Sequence, residues 1–549
     1  MVVTAFLLTL ALLPLVHVPS FEATAPTFMT SSMSYEYHFS EPFVDLTSAD
    51  RLFRIEGSDL DPRGGVPALP VFPVSLAVPP GQRLVDLVMS HSAPRMIELM
   101  TAYPTNPVEM AVDGEMAYCH EYVAEPWEAT GSQILEGVEV VGLTLRPLYW
   151  NAGTGALSFV EDFTLTLILE DARPDYVGDM GRVREMVDNP EAVPDLLPFA
   201  SSNVLPQGEY DHLIITSEAL SSPFEELARW KGERDERGAV YEGVRSKVVT
   251  LEDILATKAL WGSPSSHHGT GNDTQTVVRN MIVAAHREWG VDYVLIGGDD
   301  DVVPVRMVAA PIFDTEYREL PADIYYSGLD GDWDADGDGV YGELLSTFPT
   351  VRDEADLLAE VFVGRATVST AEGAWNFVNK TMAYERGYVN QYADDILLIG
   401  ERLDSAPTYG DDYKQEIFDE VLADEGLTSS TLYARDGTFS GPAVLAAMRS
   451  GVHVINHMGH GNFGSFAGVT SQDVQGLDNA LPFLLYTQAC MVAGFDERAD
   501  DPGDCIAEEM VQGEGGGGLH RQLPLWVVCQ GQHVRLLAAV RQGLLQPGL

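Results

Sequence analysis

Two kinds of hydrophobic patterning divide this chain. From about residue 35 to 170, short runs alternate apolar and polar positions between Pro and Gly, as in Pro73–Val78 and Leu84–Val88. Such alternation predicts half-buried β-strands, and Gly155–Val160 with Phe163–Leu169 reads as a closing hairpin. From Tyr210 onward the apolar runs become continuous: His212–Ile215, Tyr293–Ile296, Val361–Val363, Ile396–Ile399, Val452–Ile455 and Phe483–Tyr486. Helical stretches at 221–235, 274–288, 371–388, 411–424 and 441–450 separate several of them. Strands buried on both faces and alternating with helices predict an α/β domain with a largely parallel sheet. Active groups of such sheets sit at the carboxyl ends of the strands.

The two ends of the chain depart from both patterns. Residues 2–18 are an uncharged apolar run ended by Pro19, with a small-x-small site at Ala23-Thr24-Ala25. The run is short for a membrane helix and has the length of a signal-peptide core, so residues 1–25 predict export. A buried N-terminal element is the other reading, since no Lys or Arg precedes the run. Residues 519–549 contain no Asp, Glu or Lys. A back-translation of Leu519–Trp526 shifted by one base reads Phe-Ile-Gly-Asn-Ser-Arg-Tyr-Gly, a plausible strand and loop, so residues 515–549 are an anomalous tail that suggests a frameshift. On that reading the chain as written lacks a core strand.

The 549 residues carry 83 acidic against 32 basic side chains, a formal charge of −51, and only five lysines. That surface excludes nucleic acid and anionic lipid as partners, both of which need basic groups. Four cysteines (Cys119, Cys490, Cys505, Cys529) are too few for a disulfide scaffold. Cys119 with Cys505 is one pairing open to the chain.

Two strand ends carry the reactive side chains. Val452–Ile455 runs into Asn456-His457-Met458-Gly459-His460-Gly461-Asn462, and Leu481–Gln488 runs into Ala489-Cys490. Neighbouring parallel strands would present His460 and Cys490 together. A thiol beside an imidazole loses its proton near neutral pH and becomes a nucleophile. The amides of Gly461 and Cys490 are candidates to hold an oxyanion.

These motifs resemble the gingipain family of cysteine peptidases, in the wider caspase-like clan. The likeness rests on residues 456–462 and 481–490, then on Phe495-Asp496 and Asp504–Glu509. Upstream it includes Tyr293–Pro304, Glu360–Arg365, Tyr384–Arg386 and Leu397–Glu401. The resemblance implies an α/β caspase-like catalytic domain, its largely parallel sheet flanked by helices, preceded by an all-β propeptide-like domain. It aligns Glu401 with a glutamate placed beside the catalytic histidine, and Asp412 with the S1 aspartate of arginine-specific members. The organisation this implies is a signal peptide at 1–25, a propeptide-like domain at 26–190, a linker at 191–209, a peptidase domain at 210–514 and the tail. Arg182 and Arg184 are candidate maturation sites. The function implied is a secreted cysteine endopeptidase made as a zymogen, with Cys490 as nucleophile, His460 as general acid and base, and arginine preferred at P1. Its partners are protein or peptide substrates, with the propeptide-like domain as intramolecular inhibitor. A catalytically inactive calcium-binding surface or adhesion protein on the same fold is the alternative.

One further motif points to a cation. Asp330, Asp332, Asp334, Asp336 and Asp338, followed by Glu343, place hard oxygens at alternate positions around Gly337. Such a loop suits structural calcium, which the resemblance also implies. It is not a standard EF-hand, because position twelve counted from Asp334 is Leu345 and the nearest acid, Glu343, is at ten.

Overall fold

The structure is a computed structural model. It describes residues 31–45, 52–61, 66–100, 103, 125–171, 178–194, 204–232, 243–261, 273–312, 316–335, 337–343, 353, 355, 357–385, 392, 394–403, 408–423, 427–477, 479, 481–496, 503–513 and 526–529. The signal-peptide segment, Cys119, Asp336 and most of the tail lie outside them. The chain divides into two compact units, with the main boundary between Ala200 and Ser201.

The first unit is built from antiparallel sheets. Ser31–His38 and Gln82–His91 flank Asp162–Asp171. A second sheet orders Asp59–Leu60, Pro70–Ala77, Val138–Leu145 and Trp127–Leu135. In Asp162–Asp171 alternate residues are buried, so Phe163, Leu165, Leu167 and Leu169 share one core with Leu76, Leu143, Leu157 and Phe159. The expected closing hairpin does not form. Ala156–Phe159 pairs with Leu148–Asn151 and Arg95–Leu99, whereas Asp162–Asp171 joins the other sheet. The link Val160-Glu161 lacks the Gly or Asn of a tight turn, and burial of Val160 carries the chain from one sheet to the next. Arg182 and Arg184 lie in a helix, Met180–Met186, capped by Asp179. Arg184 Nε donates to the Val193 carbonyl at 3.0 Å, so cleavage at either arginine requires that helix to open.

The second unit is α/β, as the patterning predicts. In chain order it contains β1 (His212–Thr216), α1 (Ser221–Gly232), β2 (Ser246–Thr250), α2 (Thr274–Trp289), β3 (Tyr293–Gly297), β4 (Phe362–Ala366) and α3 (Ala371–Glu385). Then follow β5 (Asp395–Gly400), α4 (Gly410–Ile417), β6 (Thr428–Tyr433), α5 (Gly441–Ser450), β7 (Val454–Met458), β8 (Leu484–Thr487), α6 (Ile506–Gln512) and β9 (Trp526–Cys529). They form two parallel sheets, ordered β2-β1-β3-β4 and β6-β5-β7-β8-β9.

Every residue of β1 is buried, the signature of a central parallel strand covered on both faces. α2 begins where the Asp273 carboxylate accepts the Thr276 amide at 2.9 Å and ends at Gly290, whose φ of 78° suits glycine. Its buried face (Val277, Val278, Met281, Ile282, Ala285) packs with Leu213, Ile215, Val294 and Ile296. A second cluster joins Leu397, Ile399, Ile455, Leu485, Ile506 and Met510 beside the other sheet. The tail supplies an edge strand after all, since Trp526–Cys529 pairs in parallel with β8. Among the described residues no helix is long and apolar enough to cross a membrane.

Candidate active site

The carboxyl ends of β5, β7 and β8 lie side by side. Gly400 is in register with Met458, and His457 with Thr487. Each of the last two residues is followed, three positions on, by a reactive side chain: His460 after His457, Cys490 after Thr487. Equal offsets from a matched pair bring the two turns together. A Cβ placed on Gly461 would stand 2.8 Å from the Ala489 Cβ and 3.1 Å from the Cys490 carbonyl oxygen. Only glycine allows that approach. Both His460 and Cys490 are exposed, and Cys490 is a free thiol. The next residue, Met491, adopts a φ of 56°, a left-handed conformation unusual for a side chain of its size.

The histidine loop is held by Glu401. Its amide donates to the Met458 carbonyl at 3.0 Å, which fixes the start of the loop after β5. Expected to steer the imidazole of His460, the Glu401 carboxylate instead accepts the His460 backbone amide at 3.3 Å and lies 2.9 Å from His457 Nε2. The His460 ring is placed by a different group, its Nε2 lying 3.1 Å from the Arg402 carbonyl. A carbonyl only accepts, so Nε2 carries hydrogen and Nδ1 is left as the basic nitrogen. Gly459 is required because a Cβ there would fall 2.4 Å from Glu401 Oε1.

Three participants, His457, Thr487 and Lys414, were not singled out from the sequence. His457 is fully buried, with Nδ1 2.8 Å from Thr487 Oγ1, and burial lowers its pKa. Lys414, on α4, is also buried; its ammonium donates to Asn456 Oδ1 at 2.7 Å and Gln488 Oε1 at 2.9 Å. Burial brings its pKa down to about 7. The doublet Asn456-His457 before Met458-Gly459-His460 was the one available signal, since polar residues inside an otherwise apolar strand need buried partners.

Asp412 lies at the start of α4 on the surface rather than in an enclosed carboxylate pocket. Its Oδ2 accepts from Arg435 Nη2 at 2.6 Å, with the two side chains 57% and 50% exposed. Arg435 also lies over the Tyr409 ring, 4.7 Å from its centre. The neighbouring Asp411 is the buried acid, accepting the Arg435 amide at 2.8 Å.

The acidic side chains of the expected cation loop are placed as follows, apart from Asp336, which lies outside the described residues. Asp330, Asp332 and Asp334 are buried, but their loop is tied by its own backbone. Asp334 Oδ1 accepts the Gly339 amide and Asp332 Oδ1 the Asp334 amide, while Asp353 accepts the amides of Ala335, Gly342 and Glu343. Asp338 Oδ1 accepts the Val340 amide. Among the described residues, the carboxylates that converge are Asp299, Asp504 and Glu508, with ligand atoms within 4.8 Å of one another. Asp299 follows the carboxyl end of β3, and its buried Oδ1 has no hydrogen-bond partner. Burial and the Asp299 carboxyl raise the Glu508 pKa to about 9. Cys505 is a buried free thiol whose pKa burial pushes up, and Glu508 accepts its amide at 2.6 Å.

A histidine and a cysteine on adjoining turns of a parallel sheet make the kind of site that can run acyl transfer through a thioester. The family model for peptidase family C25 matches residues 205–532, more than half of the chain, and the chain belongs to that family of cysteine peptidases. The match extends beyond Gly518, through the edge strand at Trp526–Cys529. Among solved structures, one described as "Structure of Protease" aligns at a TM-score of 0.41 and 16% identity, covering 60% of each chain. The Arg-specific cysteine proteinase gingipain R aligns at 0.41 and 17% identity over 60% of this chain and 64% of that one. A complex of the pro- and mature domains of RgpB from Porphyromonas gingivalis aligns at 0.40 and 18% identity, covering 58% and 63%. The alignment spans less than two thirds of each of these structures. No curated protein matches by sequence.

Proposed function

We propose that the protein is a cysteine endopeptidase with Cys490 as nucleophile and His460 as general acid and base. The observation that supports this most is the shared register of His457 and Thr487, which puts His460 and Cys490 on turns that touch through Gly461. In the proposed reaction Cys490 Sγ gives its proton to His460 Nδ1 and adds to the scissile carbonyl. The amides of Gly461 and Cys490 receive the oxyanion. His460 then protonates the leaving amine as the C–N bond breaks and a thioester remains. Water attacks the thioester with His460 as base, the proton returns to sulfur, and a free carboxylic acid leaves.

The finer reading is an exported zymogen acting on protein or peptide substrates, with the N-terminal β unit as intramolecular inhibitor. Arginine at P1 would be received by Asp412, which already holds a guanidinium, that of Arg435. The same pair supports a second reading, in which Arg435 is the permanent partner of Asp412 and P1 specificity lies elsewhere. Structural calcium is also proposed. The unpartnered buried Oδ1 of Asp299 suits a cation held with Asp504 and Glu508, and the loop of Asp330, Asp332, Asp334 and Asp338 is the other candidate.

The test is hydrolysis of fluorogenic peptides with Arg, Lys, Ala or Asp at P1 by the wild-type chain, Cys490→Ala and His460→Ala. Both variants should lose at least about 10³-fold in kcat/KM. Undiminished hydrolysis by Cys490→Ala contradicts the assignment.

A further inference from the structure

The hydrogen bonds around His457 have a determined direction. A backbone amide only donates, so Glu401 Oε1, which takes the His460 amide, is an acceptor. His457 Nε2, 2.9 Å from that same oxygen, therefore carries the ring hydrogen. In the neutral ring, which burial favours, Nδ1 is then a lone pair, and Thr487 Oγ1, 2.8 Å away, donates to it. That hydroxyl oxygen in turn accepts the Ala489 amide at 3.2 Å. The chain runs one way, from Ala489 through Thr487 and His457 to Glu401, where it meets the amide of His460.

Its two ends are the residue before Cys490 and the backbone of His460. A strand that needed only to pack would carry an apolar residue at 457, as Ile455 does two positions earlier. A buried imidazole costs desolvation unless both nitrogens are satisfied, and here both are, each by a group from the carboxyl end of a different neighbouring strand. The ring is wedged against Phe466, with centroids 5.6 Å apart. The charged and titratable groups that face it are Glu401 after β5, Lys414 on α4 and His460; burial, Lys414 and His460 favour the neutral ring, and Glu401 opposes them.

We propose that His457 and Thr487 are positioning residues that couple the Cys490 turn to the His460 loop through this directed chain. The inference rests on the Cys490/His460 reading for its catalytic consequence, but not for the direction of the chain.

Two measurements test it. The first uses ¹⁵N-histidine-labelled full-length protein at pH 7, with His457 assigned by its loss in His457→Gln. A neutral ring with hydrogen on Nε2 is expected. Hydrogen on Nδ1, or a protonated ring, overturns the proposal whatever the protein's activity. The second is a kinetic cycle. Thr487→Val should lower kcat roughly tenfold with KM within about twofold, as expected for a small misplacement of reacting groups. Thr487→Ser, which restores the hydroxyl, should recover to within about twofold of wild type. Thr487→Val should add little to Glu401→Ala, because both break one chain. Additive losses, or a serine no better than valine, overturn the coupling. Activity that survives Cys490→Ala sinks the catalytic reading instead, and leaves the ring tautomer to be judged alone.

Discussion

Gly461 lies so close to Cys490 that a Cβ would stand 3.1 Å from the cysteine's carbonyl oxygen and 2.5 Å from Val492 Cγ2. The two reactive turns are thus packed through a position with no side chain. Gly461→Ala must push them apart. A shift of an ångström between reacting groups costs about 10²-fold, so kcat/KM should fall by about that factor while the melting temperature drops by only a few degrees. Steady-state kinetics with thermal denaturation decides this, and an unaltered rate would show that the turns tolerate separation.

Glu401 acts on the histidine loop through its backbone. Glu401→Ala leaves the buried His457 Nε2 without an acceptor and releases the exposed His460 amide, which should cost about 1–3 kcal/mol of stability. Glu401→Gln keeps an acceptor oxygen and should be nearer wild type. Chemical denaturation of both variants measures the difference. Equal stabilities would mean that the carboxylate oxygen is not what holds the loop.

Arg435 and Asp412 make opposite predictions for specificity. If Asp412 receives a P1 arginine, Arg435 competes with substrate, so Arg435→Ala should lower KM for arginyl peptides severalfold and Asp412→Ala should abolish the basic preference. Profiling both variants on Arg and Ala peptides is sufficient. A preference unchanged in Asp412→Ala moves the S1 pocket elsewhere.

Burial lowers the pKa of His212 to about 4, so the folded chain keeps it neutral where the unfolded chain takes up a proton. The unfolded state binds more protons between about pH 4 and 6.5, and stability is therefore lost as pH falls through that window. Relative to His212→Asn, which does not titrate, the wild type should lose about 2 kcal/mol between pH 7 and 5. A pH-independent difference between the two would show that His212 ionises freely in the fold.

Calcium should raise the melting temperature and EDTA should lower it. Asp299→Asn should remove the response if the cluster with Asp504 and Glu508 is the site, and Asp334→Asn if the aspartate loop is. A melting temperature indifferent to EDTA in the wild type contradicts structural calcium.

The parallel sheets were legible because their central strands, such as His212–Thr216, are apolar on both faces. The edge strands Ser246–Thr250 and Thr428–Tyr433 were not, since half-exposed edges admit Ser, Lys and Thr and break the hydrophobic run. His460 and Cys490 stood out as unusual residues at strand ends. His457, Thr487 and Lys414 did not, because their roles depend on strand register and on which helix covers which strand. Asp412 shows the opposite case: an aligned acid whose surroundings, an exposed pair with Arg435, no local pattern encodes.

The most direct test of the central claim is chemical. The chain from residue 26, in calcium and a mild reductant, is treated with an arginyl chloromethylketone and mapped by mass spectrometry, with Cys490→Ala as control. Label confined to Cys490, slowed by excess arginyl peptide and absent from the control, is the result predicted. Label on Cys505, or an unlabelled Cys490 in correctly folded protein, would contradict it.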